Sequence, residues 1–185
     1  MSTREEQSVN TYEAIAARRS IRRYKPDPVT EDKVARVLDA ARLAPSWKNL
    51  QCWRFIVVRG ETGKAGILSG FQDTNPGKKA ITAAPVMIVL CADPQASGKM
   101  GDKDYYLVDC GIAMENLMLA ATAEGLGTCW LGEFDETPVK TALGIPDAWR
   151  IVGMTPLGYA DQDPKPRPRK TMEEIVFQEK WGSQG

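Results

Sequence analysis

The chain is expected to fold as one α+β domain built around a mixed sheet, on three observations. Segments with helical apolar spacing and short continuous apolar runs alternate along it, but without the regular strand-helix-strand rhythm of a doubly wound fold. Its 185 residues, 43% hydrophobic and 26% charged, suit a single domain with one sizeable core. No internal repeat divides residues 1–185.

Residues 1–9 read as a flexible N-terminus. Asn10 with Glu13 three positions later forms a capping-box pattern, and Tyr12, Ile15 and Arg19 follow at helical spacing, so a short helix runs into the basic stretch Arg18 to Arg23. Pro26 and Pro28 break it. Thr30 caps a second helix with Val34, Val37, Leu38 and Ala41 on one face, and Pro45 ends it, because proline disfavours helix at the residue before it. Phe55 to Val58 and Val86 to Ala92 are apolar throughout and predict two central strands buried on both faces. Gly60 to Gly66 (GETGKAG) lacks the spacing of a phosphate-binding loop and reads as a turn. Asp93 to Gly101, rich in Pro, Ser, Gly and Lys, predicts a mobile surface excursion and a candidate lid.

Tyr105 to Glu124 predicts a long helix, apolar on most of its circumference, that needs burial against the sheet on one side and a second subunit on the other. Asp109, Glu115 and Asn116 argue against a membrane span. Gly125 stops the helix, Gly127 to Gly132 follows as a strand, and Thr137 with Pro138 predicts the start of a short helix closed by Gly144. Ile151 to Leu157 is a last core strand. From Ala160 the chain turns polar: DQDPKPRPRK predicts an extended segment, and Thr171 to Glu174 is a capping box for a terminal helix holding Ile175, Val176 and Phe177. Residues 160–185 are expected to dock.

Lys and Arg total 24, as do Asp and Glu, so no global field draws the chain to nucleic acid or to an anionic membrane. Neither an apolar leader nor an uninterrupted membrane span is visible, and the cytoplasm is the expected location. Cys52, Cys91, Cys110 and Cys129 are too dispersed for a zinc site and fit reduced, mostly buried thiols. The chain has no histidine, which removes imidazole bases and His-based triads, and no metal ligand set is assigned. A bound cofactor is the best remaining source of chemistry.

Two kinds of stretch carry unexplained polarity. The loop PSWKNLQCW sets Ser46, Lys48, Asn49 and Gln51 beside Trp47 and Trp53, and amides with a hydroxyl can read the edge of a planar heterocycle. A polar surface loop pinned by two tryptophans has the same composition. Arg18, Arg19, Ser20 and Arg22 form one cationic knot and Arg167 with Arg169 a second, each suited to a phosphate monoester. On composition alone, solvated arginine faces are commoner.

Taken together, RRSIRRY (18–24), APSWKNLQCWRF (44–55) and GYADQDPKPRPRKTMEEIV (158–176), in that order and spacing, resemble the FMN-dependent nitroreductase family. GLGTCWLG (125–132) and the long helix resemble it too. The resemblance implies a nitroreductase-like fold: a central, mainly antiparallel sheet flanked by helices in an intertwined homodimer, with two FMN sites at the interface and the 160–185 tail docked on the partner. Arg18, Arg19, Ser20, Arg167 and Arg169 match its phosphate and ribityl contacts, and Arg22 the basic position near the flavin pyrimidine ring. Pro45, Ser46 and Asn49 match residues given by the other subunit, with Gln51 beside them. The Trp130, Leu131 and Gly132 backbone matches the turn at the reactive edge, and Lys79 a more variable basic position. Trp47, Lys48, Phe71, Tyr105 and Tyr106 are candidates for the acceptor pocket. Cys52 stands where a proline is usual in the family, a departure that implies either a looser loop or a thiol near the site.

The implied activity is ping-pong hydride transfer from NADH or NADPH to flavin N5 and then to a small acceptor such as a nitroaromatic or quinone, with no catalytic side chain required. Reductive dehalogenation, flavin breakdown, and a non-catalytic FMN-binding or redox-sensing role stay open. Nucleic-acid binding through the two basic runs is the least favoured reading.

Overall fold

The computed structural model describes residues 10–183, so the expectation for residues 1–9 lies outside it. Helix α1 (Thr11–Ala17) opens on the expected capping box, in which the Asn10 side chain accepts from Glu13 N–H and Glu13 accepts from Asn10 N–H at 2.9 Å. It stops at Ala17, so Arg18 to Arg23 leaves as extended chain rather than as a helical face. Helix α2 (Glu31–Arg42) starts at its Thr30 cap and buries Val34, Val37 and Ala41.

Strand β1 (Trp53–Val58) pairs antiparallel with β2 (Val86–Ala92), which lies next to β6 (Arg150–Gly158), with the short β5 (Gly127–Thr128) outermost. All three pairings in this sheet are antiparallel. Its mixed character rests on the single parallel bridge from Ser20 to Thr128. Helices α3 (Glu61–Leu68) and α4 (Gly77–Ala83) fill the β1–β2 connection, and a small hairpin, β3 (Lys99–Met100) with β4 (Lys103–Asp104), precedes α5 (Tyr105–Ala123). Helix α6 (Glu136–Leu143) lies between β5 and β6, and α7 (Met172–Ile175) closes the tail.

Strand β2 is buried at every residue, and alternation sends its side chains into two cores. Val86, Ile88 and Leu90 face α2 and α5, where they meet Val37, Met114 and Leu117. Met87, Val89 and Cys91 face the other layer, with Ile67 of α3, Val139 of α6 and Met154. All four cysteines are free and buried, as expected of reduced thiols.

The structure corrects three expectations. Strand β1 is central in neither face nor position: it is the edge of this sheet and only half-buried, because a four-residue apolar run does not reveal whether a second neighbour pairs with it. Gly60 caps helix α3 and residues 61–66 belong to it instead of to a turn, since Gly63 and Gly66 pack against neighbours; a Cβ on Gly66 would meet Ala142 Cβ at 2.5 Å. Helix α6 begins two residues earlier than expected, with Asp135 accepting Thr137 N–H at 2.9 Å, which places Pro138 inside the first turn where no helical N–H bond is lost. On the isolated chain Met172, Ile175 and Val176 are exposed and Trp181 is 92% exposed.

Between α6 and β6, Glu136 accepts Arg150 Nη2 at 2.6 Å and Ile151 N–H at 2.9 Å. Partial burial raises its pKa, but these donors outweigh it and hold the carboxyl below its ordinary 4.5. A depressed folded value contributes stability that is present above the unfolded pKa and lost as pH falls through the folded one. Glu136→Gln should therefore lower the urea midpoint at pH 7, with the gap to wild type closing below the ordinary glutamate range; equal midpoints at pH 7 would contradict it.

Candidate functional site: two clefts joined at Arg22

The end of α1, the bridge from Ser20 to Thr128 and the returning tail enclose a cleft of about 610 Å³. Six cationic side chains line it, Arg18, Arg19, Arg22, Lys165, Arg167 and Arg169, together with Ser20 and Gln162, and no carboxylate is among them. The sequence separates the two arginine knots by more than a hundred residues, and the fold brings them together. Backbone pairing does this: Ile21 N–H bonds Thr128 O at 2.8 Å, Lys25 N–H bonds Tyr159 O at 2.9 Å, and Asp161 N–H bonds Arg23 O at 3.0 Å. Gln162 then reaches Ser20 O at 3.4 Å.

The cations are poorly compensated. Arg18 lies 3.6 Å from Glu115, and Arg19 spends one nitrogen on the carbonyls of Ala16 and Arg18. Among the described residues, Arg22, Lys165, Arg167 and Arg169 form no ion pair. Like charges this close repel, and a dianionic group is what relieves them. Thr128, behind Ser20, has a buried hydroxyl with no hydrogen-bond partner.

Arg22 also lines a second cleft of about 170 Å³, walled by Phe71, Pro76, Gly77 and the segment from Cys129 to Glu133. Here Leu131 exchanges both backbone bonds with Met154, at 2.8 and 2.9 Å, which fixes the Trp130 to Gly132 turn against β6. Burial pushes the Cys129 thiol above its ordinary range, with Arg22, Ser20 and Arg18 opposing, so it is a wall and no nucleophile. Asn75, Pro76 and Glu133 continue into an outer cleft of about 390 Å³ beside Gln72, Thr74 and Asp135. The set is elongated, cationic at one end and narrow with partly apolar walls at the other.

The loop of residues 45–51 is not part of these clefts. It packs on the start of α5, where Trp47 stacks on Tyr105 with ring centroids 4.1 Å apart. Ser46 Oγ accepts Gln51 N–H at 3.0 Å, and Gln51 Nε2 donates to Asn49 Oδ1 at 3.1 Å. Lys48, Asn49 and Gln51 all have positive φ, 49°, 58° and 51°. Three left-handed residues without glycine are strained, and such strain concentrates at functional loops. Pro45, Lys48, Asn49 and Gln51 are exposed.

Two further candidates also lie outside the three clefts. Tyr106 is buried in the core with α2 and β2, because the helix turns it inward while Tyr105 faces the loop. Lys79 is exposed on α4 and lines none of the three clefts. Cys52 is buried, its thiol directed at Asp109 Oδ2 at 3.7 Å, and burial followed by that carboxylate pushes its pKa up; it is not a reactive thiol at the site. Sequence reasoning missed Gln162 and Lys165, which sit in the polar tail next to the arginines already noted, and Asn75 and Glu133, which have no signal in a single sequence.

A fold of this class with a cation-lined cleft of this kind suits an anionic ligand. The family model of the Nitroreductase family matches residues 15–76 and 65–159. The chain is 40% identical to a nitroreductase family protein from Clostridium novyi NT, over 94% of this chain and 96% of that one, with a TM-score of 0.78. An FMN-dependent nitroreductase from Clostridium difficile R20291 is 29% identical, covering 89% and 96% of the two chains, with a TM-score of 0.76. An NADH dehydrogenase of Thermus thermophilus is 30% identical over 89% of this chain and 93% of its own. The chain belongs to the nitroreductase family of oxidoreductases. No helix among the described residues is long and apolar enough to cross a membrane.

Proposed function

We propose that the protein is an FMN-dependent NAD(P)H oxidoreductase working as a homodimer. The observation that carries this is the join at Arg22, where a cleft lined by six cations, four of them without an ion pair among the described residues, meets a narrow cleft walled by the Trp130 to Gly132 turn. A phosphate monoester fits the first and one edge of a flat ring the second. Bound FMN supplies the hydride chemistry, taking a hydride from NADH or NADPH and passing it to a small acceptor such as a nitroaromatic or quinone.

The chain's own residues bind and orient. Arg18, Arg19, Ser20, Arg167 and Arg169 hold the phosphate and ribityl chain, and Arg22 places positive charge beside the pyrimidine edge, where it favours negative charge developing on the ring. The Trp130 to Gly132 turn, anchored by the two backbone bonds of Leu131 to Met154, presents the amides of Trp130 and Gly132 to the opposite edge. Pro45, Ser46, Asn49 and Gln51 cover the ring from the partner subunit, consistent with a loop that lies outside the clefts of its own chain. Trp47, Lys48, Tyr105 and Phe71 shape the acceptor's approach. The exposed Leu107, Val108 and Ile112 of α5 and the undocked α7 supply apolar surface for a second copy. Four buried thiols suit the reducing cytoplasm.

The protein should purify yellow, release FMN on heating, and lose its visible flavin absorbance when NADH or NADPH is added without oxygen. A colourless chain that takes up no added FMN overturns the reading. Flavin that is bound but not bleached by either nucleotide reduces it to a binding module.

A further inference from the structure

We propose that Asp109 is a positioning residue that clamps the loop of residues 45–51 and the segment of residues 94–98 at the base of the β3–β4 hairpin into one unit, and so sets the surface that covers the flavin ring. The last part rests on the function proposed above. Asp109 lies in the first turns of α5, only 2% exposed, and among the described residues no basic side chain is paired with it. Its charge is met instead by donors from two separate segments. Trp47 N–H donates to Oδ1 at 2.9 Å, while Ser97 Oγ and Cys52 Sγ reach Oδ2 at 2.8 and 3.7 Å. A buried carboxylate satisfied in this way costs stability if any partner moves, which makes it a strong restraint on all of them.

The restraint falls where the backbone needs it. Lys48 and Asn49 hold left-handed φ immediately after Trp47, and Gln51 does so immediately before Cys52. Strained conformations persist only where the surroundings over-determine them, and Asp109 grips the loop at both ends of the strained run. The base of the hairpin completes the grip from the other side. Trp47 stacks on Tyr105, whose N–H bonds Gly98 O at 3.0 Å. Gly98 lies so close under the indole that a Cβ there would come within 2.3 Å of Trp47 Nε1. Loop and hairpin base therefore share one carboxylate and one ring contact, and neither moves alone.

Hydrogen exchange tests the clamp without reference to flavin. In Asp109→Ala, exchange in residues 45–52 and 94–100 should accelerate together by about tenfold or more, the scale of losing a charged hydrogen bond, with the sheet unchanged. Asn offers one acceptor and one donor, enough for Trp47 N–H and Ser97 Oγ, so Asp109→Asn should restore most of the protection. Gly98→Ala, which leaves the carboxylate intact, should loosen the same two segments from the hairpin side. Acceleration of one segment alone, or of neither, overturns the clamp, and a globally unfolded Asp109→Ala leaves the decision to Asp109→Asn and Gly98→Ala. Asp109→Ala dimers should also bind FMN about tenfold more weakly. If wild type binds FMN and the variant binds it equally well with an unchanged flavin spectrum, the functional half fails. If wild type binds no FMN, the function reading fails while the exchange data still judge the clamp.

Discussion

Arg169→Ala is expected to strip the protein of FMN while leaving its fold intact. A guanidinium donating to a phosphate oxygen is worth about 1.5–3 kcal/mol, which corresponds to a loss of roughly 10- to 150-fold in Kd. Among the described residues Arg169 has no ion pair whose loss would disturb the chain, and it lies on the exposed tail, so far-UV circular dichroism should not change. Arg18→Ala should give a smaller loss, because Arg18 is already engaged by Glu115 at 3.6 Å and the charge it offers a ligand is partly spent. The two sites lie in one cleft, so the double variant need not show the sum of the single effects. Flavin content after gel filtration and a fluorescence titration with FMN measure all three. Full retention in both single variants would remove these residues from the phosphate site and with them the cationic half of the proposal.

Leu117→Ala is expected to cost about 2–5 kcal/mol, out of a total stability of about 5–15 kcal/mol for a domain of ordinary size. Leu117 is fully buried between the sheet and α2, in the middle of α5, where truncation leaves a cavity that a helix packed on both sides cannot close. Ten residues earlier on the same helix, Leu107 is 49% exposed in the isolated chain. Leu107→Ala should leave the fold of the subunit intact yet weaken the dimer if this face meets a second copy. Thermal unfolding at two protein concentrations separates the effects. Leu117→Ala should lower the midpoint at both, whereas Leu107→Ala should make it more dependent on concentration. No concentration dependence for wild type or Leu107→Ala would leave α5 without the partner proposed for it.

Much of the local structure was legible because its causes are local. Asn10 with Glu13, Thr30, and Thr171 with Glu174 each announce a helix start by a cap three residues from its partner, and all three helices begin there. The all-apolar run of β2 does mark the centre of the sheet, since only a strand buried on both faces needs it. Residues 60–66 were misread for the opposite reason. Glycines there looked like turn punctuation, yet Gly63 and Gly66 are helical residues kept small by close packing against Val58 and Ala142, contacts that nothing in the segment itself reveals. Likewise, residue type alone made Tyr105 and Tyr106 equal pocket candidates, but adjacent positions on a helix point in different directions, and only one faces the loop.

By itself, the sequence determined which chemistries were open to this protein. Without histidine and with its cysteines scattered, it favoured a bound group to do the reacting, and its arginine runs and amide loop supplied the means to hold one. The tertiary structure alone decided that Arg18 and Arg169 belong to a single cleft, that Arg22 joins it to the turn at Trp130, and that Asp109 is an anchor. These are distances between residues far apart in the chain, and the side chains at either end carry no mark of the partner they will meet. Backbone pairing across β5, β6 and the returning tail sets them, and that pairing exists only once the sheet has formed.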